Sequence, residues 1–306
     1  MRRATFYVLT SALLWGTSFP TIRVGLERGD ASPFTFLLLR FLVATAALGV
    51  LALRTSHVRP GVSVATLLGL SALNAGGYAL QFLAQDRTTA SKTSLLVDID
   101  VIAIAILGFF FLGERHGREI LAALFLGVIG LVLLSTGGDP AAATFARAEF
   151  VGDVLAFAAG LVWAFYYVWV KRIVQDRPET DALGLTLAVF GLTTLLVAPA
   201  AWFVEGTTGA GNATAWASAV YLGLFATALP FFLWFEALRT ESVTAVALIL
   251  LLEIVVAMAL GAAFLHERLN GWATVGALLV LGSAYLAARE SAPPPVPAAG
   301  PQGHGP

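Results

Sequence analysis

Four ionisable side chains stand inside long apolar stretches of this 306-residue chain: Arg40, Asp98, Asp100 and Glu253. A charge in an apolar medium is unfavourable, so such residues pair with one another or face a wet cavity. A carboxylate removed from water also holds a proton more readily, which makes proton exchange the chemistry that Asp100 or Glu253 could perform. The alternative interpretation is a structural ion pair, for example between Arg40 and Asp98. Asp98 and Asp100 lie about 200° apart around a continuous helix, which predicts that they cannot face the same way.

A second group consists of eight aromatic and polar residues at helical spacings of three and four: Trp15 and Ser18; Asn74, Tyr78 and Gln81; Trp163, Tyr166 and Tyr167. Residues at these spacings share one face of a helix. Together they predict a ligand cavity with aromatic walls and a few hydrogen-bonding groups. For any one aromatic, packing between helices is the alternative. The other five tryptophans lie near the ends of apolar stretches, where an interfacial aromatic belt explains them: Trp169, Trp202, Trp216, Trp234 and Trp272.

The composition identifies the medium around these residues. Hydrophobic residues make up 58% of the chain and charged residues only 12%, against about 25% charged in ordinary soluble domains. The apolar excess must face lipid, which predicts a polytopic membrane protein. The net charge of -1 excludes a polycationic nucleic-acid surface, and the absence of cysteine excludes thiol chemistry. No metal-ligand spacing is found and all four histidines lie outside the apolar stretches, so we expect no enzyme activity, no metal and no cofactor.

Ten segments are long and apolar enough to cross a bilayer as helices, which predicts an all-α fold: Thr5–Val24, Pro33–Leu53, Val64–Ala84, Ser91–Leu112, Ile120–Thr136, Val151–Val170, Leu183–Val204, Trp216–Leu238, Val243–Leu265 and Trp272–Ala288. The Pro- and Gly-rich segment 291–306 is predicted to be a disordered tail. Of the 18 Lys and Arg residues, eleven fall on one side of these spans, six on the other and Arg40 within a span. The positive-inside rule then places both termini in the cytoplasm, in a multi-pass inner-membrane protein.

An internal repeat relates the two halves of the chain. At an offset of 153 residues, Phe111–Arg115 aligns with Phe264–Arg268 and Asp100 aligns with Glu253. The halves are residues 1–148 and 149–290. Because each contains five spans, an odd number, the second must cross the membrane upside down. Inverted repeats are typical of alternating-access transporters with a substrate site near the midplane.

Three stretches resemble the EamA-like branch of the drug/metabolite transporter superfamily: Gly152–Tyr166, Ala228–Leu238 and the paired Leu-Gly-Glu-Arg and Leu-His-Glu-Arg segments. Arg40 also stands where that family often has an arginine. The resemblance implies ten helices in two inverted repeats and transport of small metabolites, amino acids among them. The family often has Glu-Pro in its fourth and ninth spans, whereas this chain has Asp100-Val101 and Glu253-Ile254, without the prolines that would break those helices.

The sequence therefore predicts a secondary active transporter that exports a small neutral, zwitterionic or cationic compound, such as an amino acid. A facilitative channel or uniporter, or a nucleotide-sugar antiporter of the same superfamily, is the alternative. A phosphate-bearing cargo would require several basic residues in the cavity, and Arg40 is the only one within a span. The expected partners are a small-molecule substrate, the lipid bilayer and protons as coupling ion, with a monomer and no nucleic acid.

Overall fold

The fold is helical throughout the part of the chain that the computed structural model describes, residues 3–55, 58–87, 90–139, 150–206, 209–265 and 271–290. The predicted tail and the second member of the paired segments, His266–Arg268, lie outside these ranges. In chain order the helices are α1 Arg3–Gly16, α2 Ser18–Arg23, α3 Pro33–Ala52, α4 Val64–Gln85, α5 Ala90–Asp98, α6 Asp100–Leu112, α7 Arg118–Thr136, α8 Phe150–Asp176, α9 Ala182–Ala200, α10 Ala213–Gly223, α11 Leu229–Leu238, α12 Val243–Leu250, α13 Leu252–Leu265 and α14 Gly271–Glu290. Turns of π-helix follow α2, α9 and α10, at Val24–Arg28, Ala201–Glu205 and Leu224–Ala228.

Eight helical segments within these ranges have the length and composition of membrane spans: Pro33–Ala52, Val64–Gln85, Thr93–Leu112, Phe150–Asp176, Ala182–Glu205, Ala213–Leu238, Val243–Leu260 and Gly271–Arg289. The chain is thus a multi-pass membrane protein. The first predicted span is divided at Thr17 between α1 and α2, and the fifth corresponds to α7. Ten spans in two inverted repeats stay a prediction.

Two spans are broken near their middle although they contain no proline. Ile99 separates α5 from α6, and Leu251 separates α12 from α13. At each break the backbone makes one tight bond, from Ile102 N to Ile99 O (3.1 Å) and from Ile254 N to Leu251 O (3.2 Å). These bonds join residues three apart, as in a 3₁₀ turn, so the helix is interrupted without a proline. The lack of Glu-Pro therefore does not keep these helices continuous.

Two glutamates cap helices that are distant in sequence, and they define the two ends of the bundle. The Glu114 carboxylate accepts hydrogen bonds from Val243 N (2.7 Å) and Thr244 Oγ1 (2.8 Å) at the start of α12. The Glu205 carboxylate accepts bonds from Phe34 N (2.8 Å) and Thr35 N (2.7 Å) at the start of α3. Both satisfy backbone donors that a helix leaves open. We call the end with loops 113–117, 177–181 and 239–242 the Glu114 end, and the opposite end the Glu205 end.

Helices α7 and α14 pack closely and antiparallel, because small residues line their contact. Ser283 Oγ donates to Ala123 O (2.7 Å) at one end of the pair, and Trp272 lies against Gly138 at the other. Between them, a Cβ atom placed on Gly276 would lie 2.6 Å from Leu134 N. Small residues allow such approach between membrane helices, where packing rather than the hydrophobic effect holds helices together.

We predict that Gly276→Ala lowers the midpoint of thermal unfolding in detergent by several degrees, because the added methyl group overpacks the contact with α7 at a cost of about 1–3 kcal/mol. Gly282→Ala on the same helix is the matched control, since its Cβ would lie 4.0 Å from the nearest atom. That control should unfold at the wild-type temperature or slightly above, because alanine favours a helix over glycine by about 1 kcal/mol. Equal midpoints for the two variants would contradict this account of the packing.

Candidate functional site

A cavity with about 460 Å³ of empty space lies among the broken helices. Ten of the twelve predicted site residues line it: Trp15, Ser18, Arg40, Tyr78, Gln81, Asp98, Asp100, Trp163, Tyr167 and Glu253. Phe19, Val97 and Phe231 complete the wall. The structure therefore brings together groups that are separated by up to 238 residues in sequence, from Trp15 to Glu253.

Arg40 is held in the wall of the cavity by neutral acceptors. Its side chain is 1% exposed. The guanidinium donates to Thr227 Oγ1 (2.6 Å), Ala226 O (2.8 Å) and Tyr78 Oη (3.1 Å), with a longer bond to Ser18 Oγ (3.4 Å). Its Cζ atom also lies 4.5 Å from the centroid of the Tyr78 ring, within cation–π distance. Within the described ranges no ion pair shorter than 4.0 Å involves Arg40, so the alternative Arg40–Asp98 pair is not formed.

The carbonyl of Ala226, one of the acceptors of Arg40, precedes a proline by four residues. In a regular helix the amide of residue 230 would donate to the carbonyl of residue 226, but Pro230 has no N–H to give. The carbonyl of Ala226 lies in a π-helical turn directly before α11 and accepts from Arg40 instead. Arg40 thus gives this carbonyl a donor in place of the one that a regular α-helix with a proline at residue 230 lacks.

The three carboxylates meet because of the helix breaks. Asp98 is the last residue of α5 and Asp100 the first of α6, so the turn at Ile99 points both side chains into the same cavity. The prediction that they cannot face the same way is wrong, since it assumed a continuous helix. Glu253 stands in the first turn of α13, and its carboxyl group lies within hydrogen-bonding reach of that of Asp98. Asp100 and Glu253 both benefit from the partial positive charge of a helix N-terminus.

Aromatic rings cover the rest of the wall and centre on Phe231, which the sequence pattern did not single out. The ring of Phe231 lies 5.1 Å from Trp15 and 6.2 Å from Trp163 between centroids, while Tyr78 and Trp163 lie 4.8 Å apart. Most of these pairs meet edge to face, the geometry that aromatic pairs prefer. The available signal for Phe231 was its place directly after Pro230. Thr227 and the wall residues Phe19 and Val97 had no such signal.

Three other expectations need correction. Asn74 is buried away from the cavity, where its Oδ1 accepts from Thr193 Oγ1 of α9 (3.2 Å). Tyr166 turns from the cavity and stacks on Trp234, with centroids 5.9 Å apart and planes at 18°. Trp234 is itself 1% exposed and belongs to this aromatic cluster, not to an interfacial belt. In each case helical spacing fixed the approximate face, but the neighbouring helix decided what the side chain meets.

Comparison with known proteins identifies the family. The profile described as the EamA-like transporter family matches residues 2–136 and 150–289. The chain belongs to the EamA-like transporter family. Its resemblance in sequence at the Glu-Arg segments and in α8 is thereby confirmed.

Relatives of this EamA-like transporter are similar over almost their full length. An "Uncharacterized transporter" of Archaeoglobus fulgidus is 28% identical over 284 residues, which is 90% of this chain and 93% of that protein. A "Probable amino-acid metabolite efflux pump" of Salmonella typhimurium is 30% identical over 298 residues, 93% of this chain and 94% of that protein. A "Probable terminal-alkyne amino-acid exporter" of Streptantibioticus cattleyicolor is 26% identical over 297 residues, 95% of each. A solved crystal structure with 19% identity superimposes with a TM-score of 0.80 over 94% of this chain and 97% of its own, which shows a shared fold.

The chemistry available in the cavity of this EamA-like transporter is reversible binding. Its wall offers one guanidinium, three carboxyl groups, hydroxyl groups and aromatic faces. No cluster of three or more His, Asp or Glu side chains suited to a metal ion occurs in the described part of the chain. The wall can therefore recognise a small molecule by charge, hydrogen bonds and aromatic contact.

We predict that Thr227→Val destabilises the transporter by about 1–3 kcal/mol, because it leaves the Arg40 Nε–H buried without its acceptor. Thermal unfolding in detergent measures the loss. Thr227→Ser keeps the hydroxyl group and should unfold close to the wild-type temperature. If Thr227→Val is as stable as Thr227→Ser, then the bond from Arg40 does not support the fold.

Proposed function

We propose that this protein is a secondary active transporter that exports an amino acid or a similar small compound across the cytoplasmic membrane by alternating access. The observation on which this proposal depends is the cavity, in which one arginine, three carboxyl groups and aromatic rings converge inside a membrane protein of a transporter family. Ionisable groups within a membrane interior are expensive to maintain and are usually functional. Two of the three relatives described above are named for the export of amino acids or their metabolites, which supports this cargo and direction.

We propose further that ten helices form two inverted repeats around this cavity. The cavity wall takes Arg40, Asp98 and Asp100 from the first half and Trp163 and Glu253 from the second. The breaks at Ile99 and Leu251 fall within one residue of equivalence at the offset of 153. The family profile also matches two stretches whose limits agree with the predicted halves.

The positions of the chain ends fit this arrangement. Helix α1 leads through α2 to Arg28, whose carbonyl bonds to Asn212 at the Glu205 end, so α1 begins at the Glu114 end. Helix α14 runs antiparallel to α7 and therefore ends at the Glu114 end as well. Most described basic residues of loops and helix ends lie there: Arg54, Arg59, Arg115, Arg118, Lys171, Arg172, Arg177 and Arg239. The positive-inside rule makes the Glu114 end cytoplasmic.

Alternating access requires that one end be closed while the other is open, and we propose that the polar contacts between helices at the Glu114 end are those that close it. Beside the cap that Glu114 places on α12, the buried Lys171 Nζ donates to Leu238 O and Glu241 O, both at 2.6 Å. Arg172 Nη1 donates to Phe111 O (3.2 Å). These contacts join α6 and α8 of different predicted halves and tie both to the α11–α12 turn.

Counterflow in proteoliposomes tests the proposed function directly. Vesicles that contain the purified protein and are preloaded with an unlabelled apolar amino acid should accumulate the labelled compound transiently, because a carrier exchanges one bound molecule for another. A channel would equilibrate the label without overshoot, and protein-free vesicles give the background. Absence of counterflow across a panel of amino acids would overturn the proposal.

We predict that a covalent link between residues 114 and 244 stops transport if the Glu114 end must open. The chain contains no cysteine, so Glu114→Cys with Thr244→Cys provides the only reactive pair, at side chains that are in contact in the structure. Because the contact is made by the end of the long Glu114 side chain, a short bifunctional methanethiosulfonate is used to link the two cysteines. Cross-linking of the double variant should abolish counterflow, and reduction should restore it. The two single variants serve as controls for loss of the cap itself. Transport by the cross-linked double variant at the rate of the single variants would contradict alternating access at this end.

We also propose that the carboxyl pair couples transport to protons. Asp98 and Glu253 line the same buried cavity, and two neighbouring carboxyl groups are compatible there when one of them holds a proton. Asp100, Tyr78 and Tyr167 face the same pair and Arg40 lies in the same wall. A cationic group of the cargo would compete with that proton for the same oxygens, which makes exchange of cargo for proton the expected cycle.

We predict that Asp100→Asn and Glu253→Gln abolish the drive from an outward-directed proton gradient while some counterflow persists. In exchange of cargo for proton, protons that leave the vesicle drive cargo in, so wild-type uptake should rise with the imposed gradient and fall when a protonophore is added. Glu27→Gln is the matched control, because Glu27 is an exposed carboxylate that pairs with Arg23 outside the cavity (2.7 Å). A wild-type response to the gradient in both cavity variants would exclude Asp100 and Glu253 as the coupling groups.

A further inference from the structure

Two buried polar atoms in the cavity wall have no hydrogen-bond partner among the described residues. The indole Nε1–H of Trp15 is a donor without an acceptor, and Asp98 Oδ2 is an acceptor without a donor. Both side chains are more than nine-tenths buried, with 7% and 6% exposed, and both line the cavity. Buried polar atoms are normally satisfied, so an open donor and an open acceptor in one cavity indicate what a ligand must bring.

The side of the cavity formed by Trp15 and Arg40, which we call the donor side, also carries a positive charge that is not paired with a carboxylate among the described residues. Arg40 bonds only to hydroxyl and carbonyl oxygens, although three carboxylates line the same cavity. Its Nη1 makes a single long bond, to Ser18 Oγ at 3.4 Å, and so has a donor left over, since each terminal guanidinium nitrogen bears two hydrogens. A buried guanidinium with neutral partners is the natural counter-charge for an anionic ligand group, and a carboxylate matches it best.

The part of the cavity formed by Asp98 and Glu253 offers hydrogen-bond acceptors and is called the acceptor side. Asp98 and Glu253 lie against each other, and Asp100 and the Tyr167 hydroxyl lie nearby. The Oδ2 atom of Asp98, which has no donor among the described residues, can accept a hydrogen bond from a ligand. The surrounding carboxyl groups favour a donor that is cationic. An ammonium group supplies three donors and one positive charge.

The wall between these two sides is apolar and aromatic. Phe231 touches both Trp15 and Trp163, and Tyr78 extends the surface toward Arg40. This surface suits an aliphatic or aromatic body rather than a second polar group. A ligand that satisfies the whole cavity is therefore anionic at one end, cationic at the other and apolar in its side chain.

We infer that the cavity recognises an apolar amino acid as a zwitterion, with its carboxylate on Arg40 and the Trp15 indole and its ammonium on Asp98. This inference rests on the proposed transport function and adds the orientation of the cargo. Specificity then depends on both charged ends of the ligand. An analogue that lacks one of the two charged groups leaves a buried group of the wall unpaired, which weakens binding strongly.

Competition against bound radiolabelled L-phenylalanine tests the inference on the purified wild-type protein. The competitors are L-phenylalanine, 2-phenylethylamine, which lacks the carboxylate, and 3-phenylpropanoate, which lacks the amine. Loss of a hydrogen bond to a charged group weakens binding by about tenfold or more. We expect each truncated analogue to compete at least about tenfold less well than phenylalanine.

Variants locate the two ends. Trp15→Phe keeps the aromatic wall but removes the indole donor, and should weaken phenylalanine binding by about tenfold while changing 2-phenylethylamine binding much less. Arg40→Gln should remove the preference for phenylalanine over 2-phenylethylamine, and Asp98→Asn the preference over 3-phenylpropanoate. Trp216→Phe is the matched control, because Trp216 is 49% exposed on α10, away from the cavity. Should Arg40→Gln fail to fold, Trp15→Phe still tests the carboxylate end.

The outcomes separate this inference from the proposed function. Equal competition by phenylalanine and 2-phenylethylamine in the wild type would overturn the zwitterion and indicate an organic-cation carrier, while leaving transport intact. Unchanged selectivity in Trp15→Phe and Arg40→Gln would overturn the assigned residues. If the wild type binds none of the three probes and shows no counterflow with any amino acid, the proposed function fails and the inference fails with it.

Discussion

Inside a bilayer, a backbone group that leaves its helix has no water to bond with, and this constraint governs the structure around the cavity. The spans are interrupted at Ile99, at Leu251 and before Pro230, and each interruption is tolerated because the protein supplies a partner. Tight turns satisfy the first two, and Arg40 satisfies the carbonyl that Pro230 leaves free. The cavity lies beside these interruptions. The need to hydrogen-bond every backbone group inside the bilayer therefore limits where the cavity can form.

The same constraint explains the unusual state of Arg40. A guanidinium buried in a membrane protein would ordinarily be expected beside a carboxylate, and three are available in the same wall. Its N–H groups instead donate to Ala226 O, Thr227 Oγ1 and Tyr78 Oη. These bonds give a donor to a carbonyl beside a helix interruption and hold the side chain in place without neutralising its charge. In the proposed binding mode this fixed charge supports the fold and also binds the ligand carboxylate, which need not first break an ion pair.

The sequence predicted the membrane environment, most spans and most of the cavity wall, because these depend on properties that act locally. Apolar length decides a span, and the match of Asp100 with Glu253 selected the two carboxylates in the first turns of α6 and α13. Prediction from the sequence failed where a helix break or a distant helix determines the direction of a side chain. The break at Ile99 reverses the argument about Asp98 and Asp100, and Thr193 of α9 turns Asn74 away from the cavity. Phe231 and Thr227 gained their roles only through the helices that approach them.

The two halves share an aromatic position but not the helix geometry around it, and the difference has a local cause. Trp15 in Leu13–Gly16 matches Trp163 in Leu161–Ala164 at an offset of 148 residues, yet α1 ends two residues before Ser18 while α8 continues to Asp176. Thr17 stabilises the first break, since its Oγ1 donates to Leu14 O (2.6 Å) and accepts from Tyr221 Oη (2.9 Å).

The residue of α8 that corresponds to Thr17 is Phe165, which has no hydroxyl group and is 53% exposed. A phenylalanine can supply neither bond, so α8 has no comparable support for a break and stays continuous. The first half therefore turns Ser18 and Phe19 into the cavity on a separate short helix, whereas the second half presents Trp163 and Tyr167 on one continuous helix. In the proposed inverted repeat, one wall of the cavity is thus a broken helix and the other a continuous one, so the two walls are not equivalent in structure.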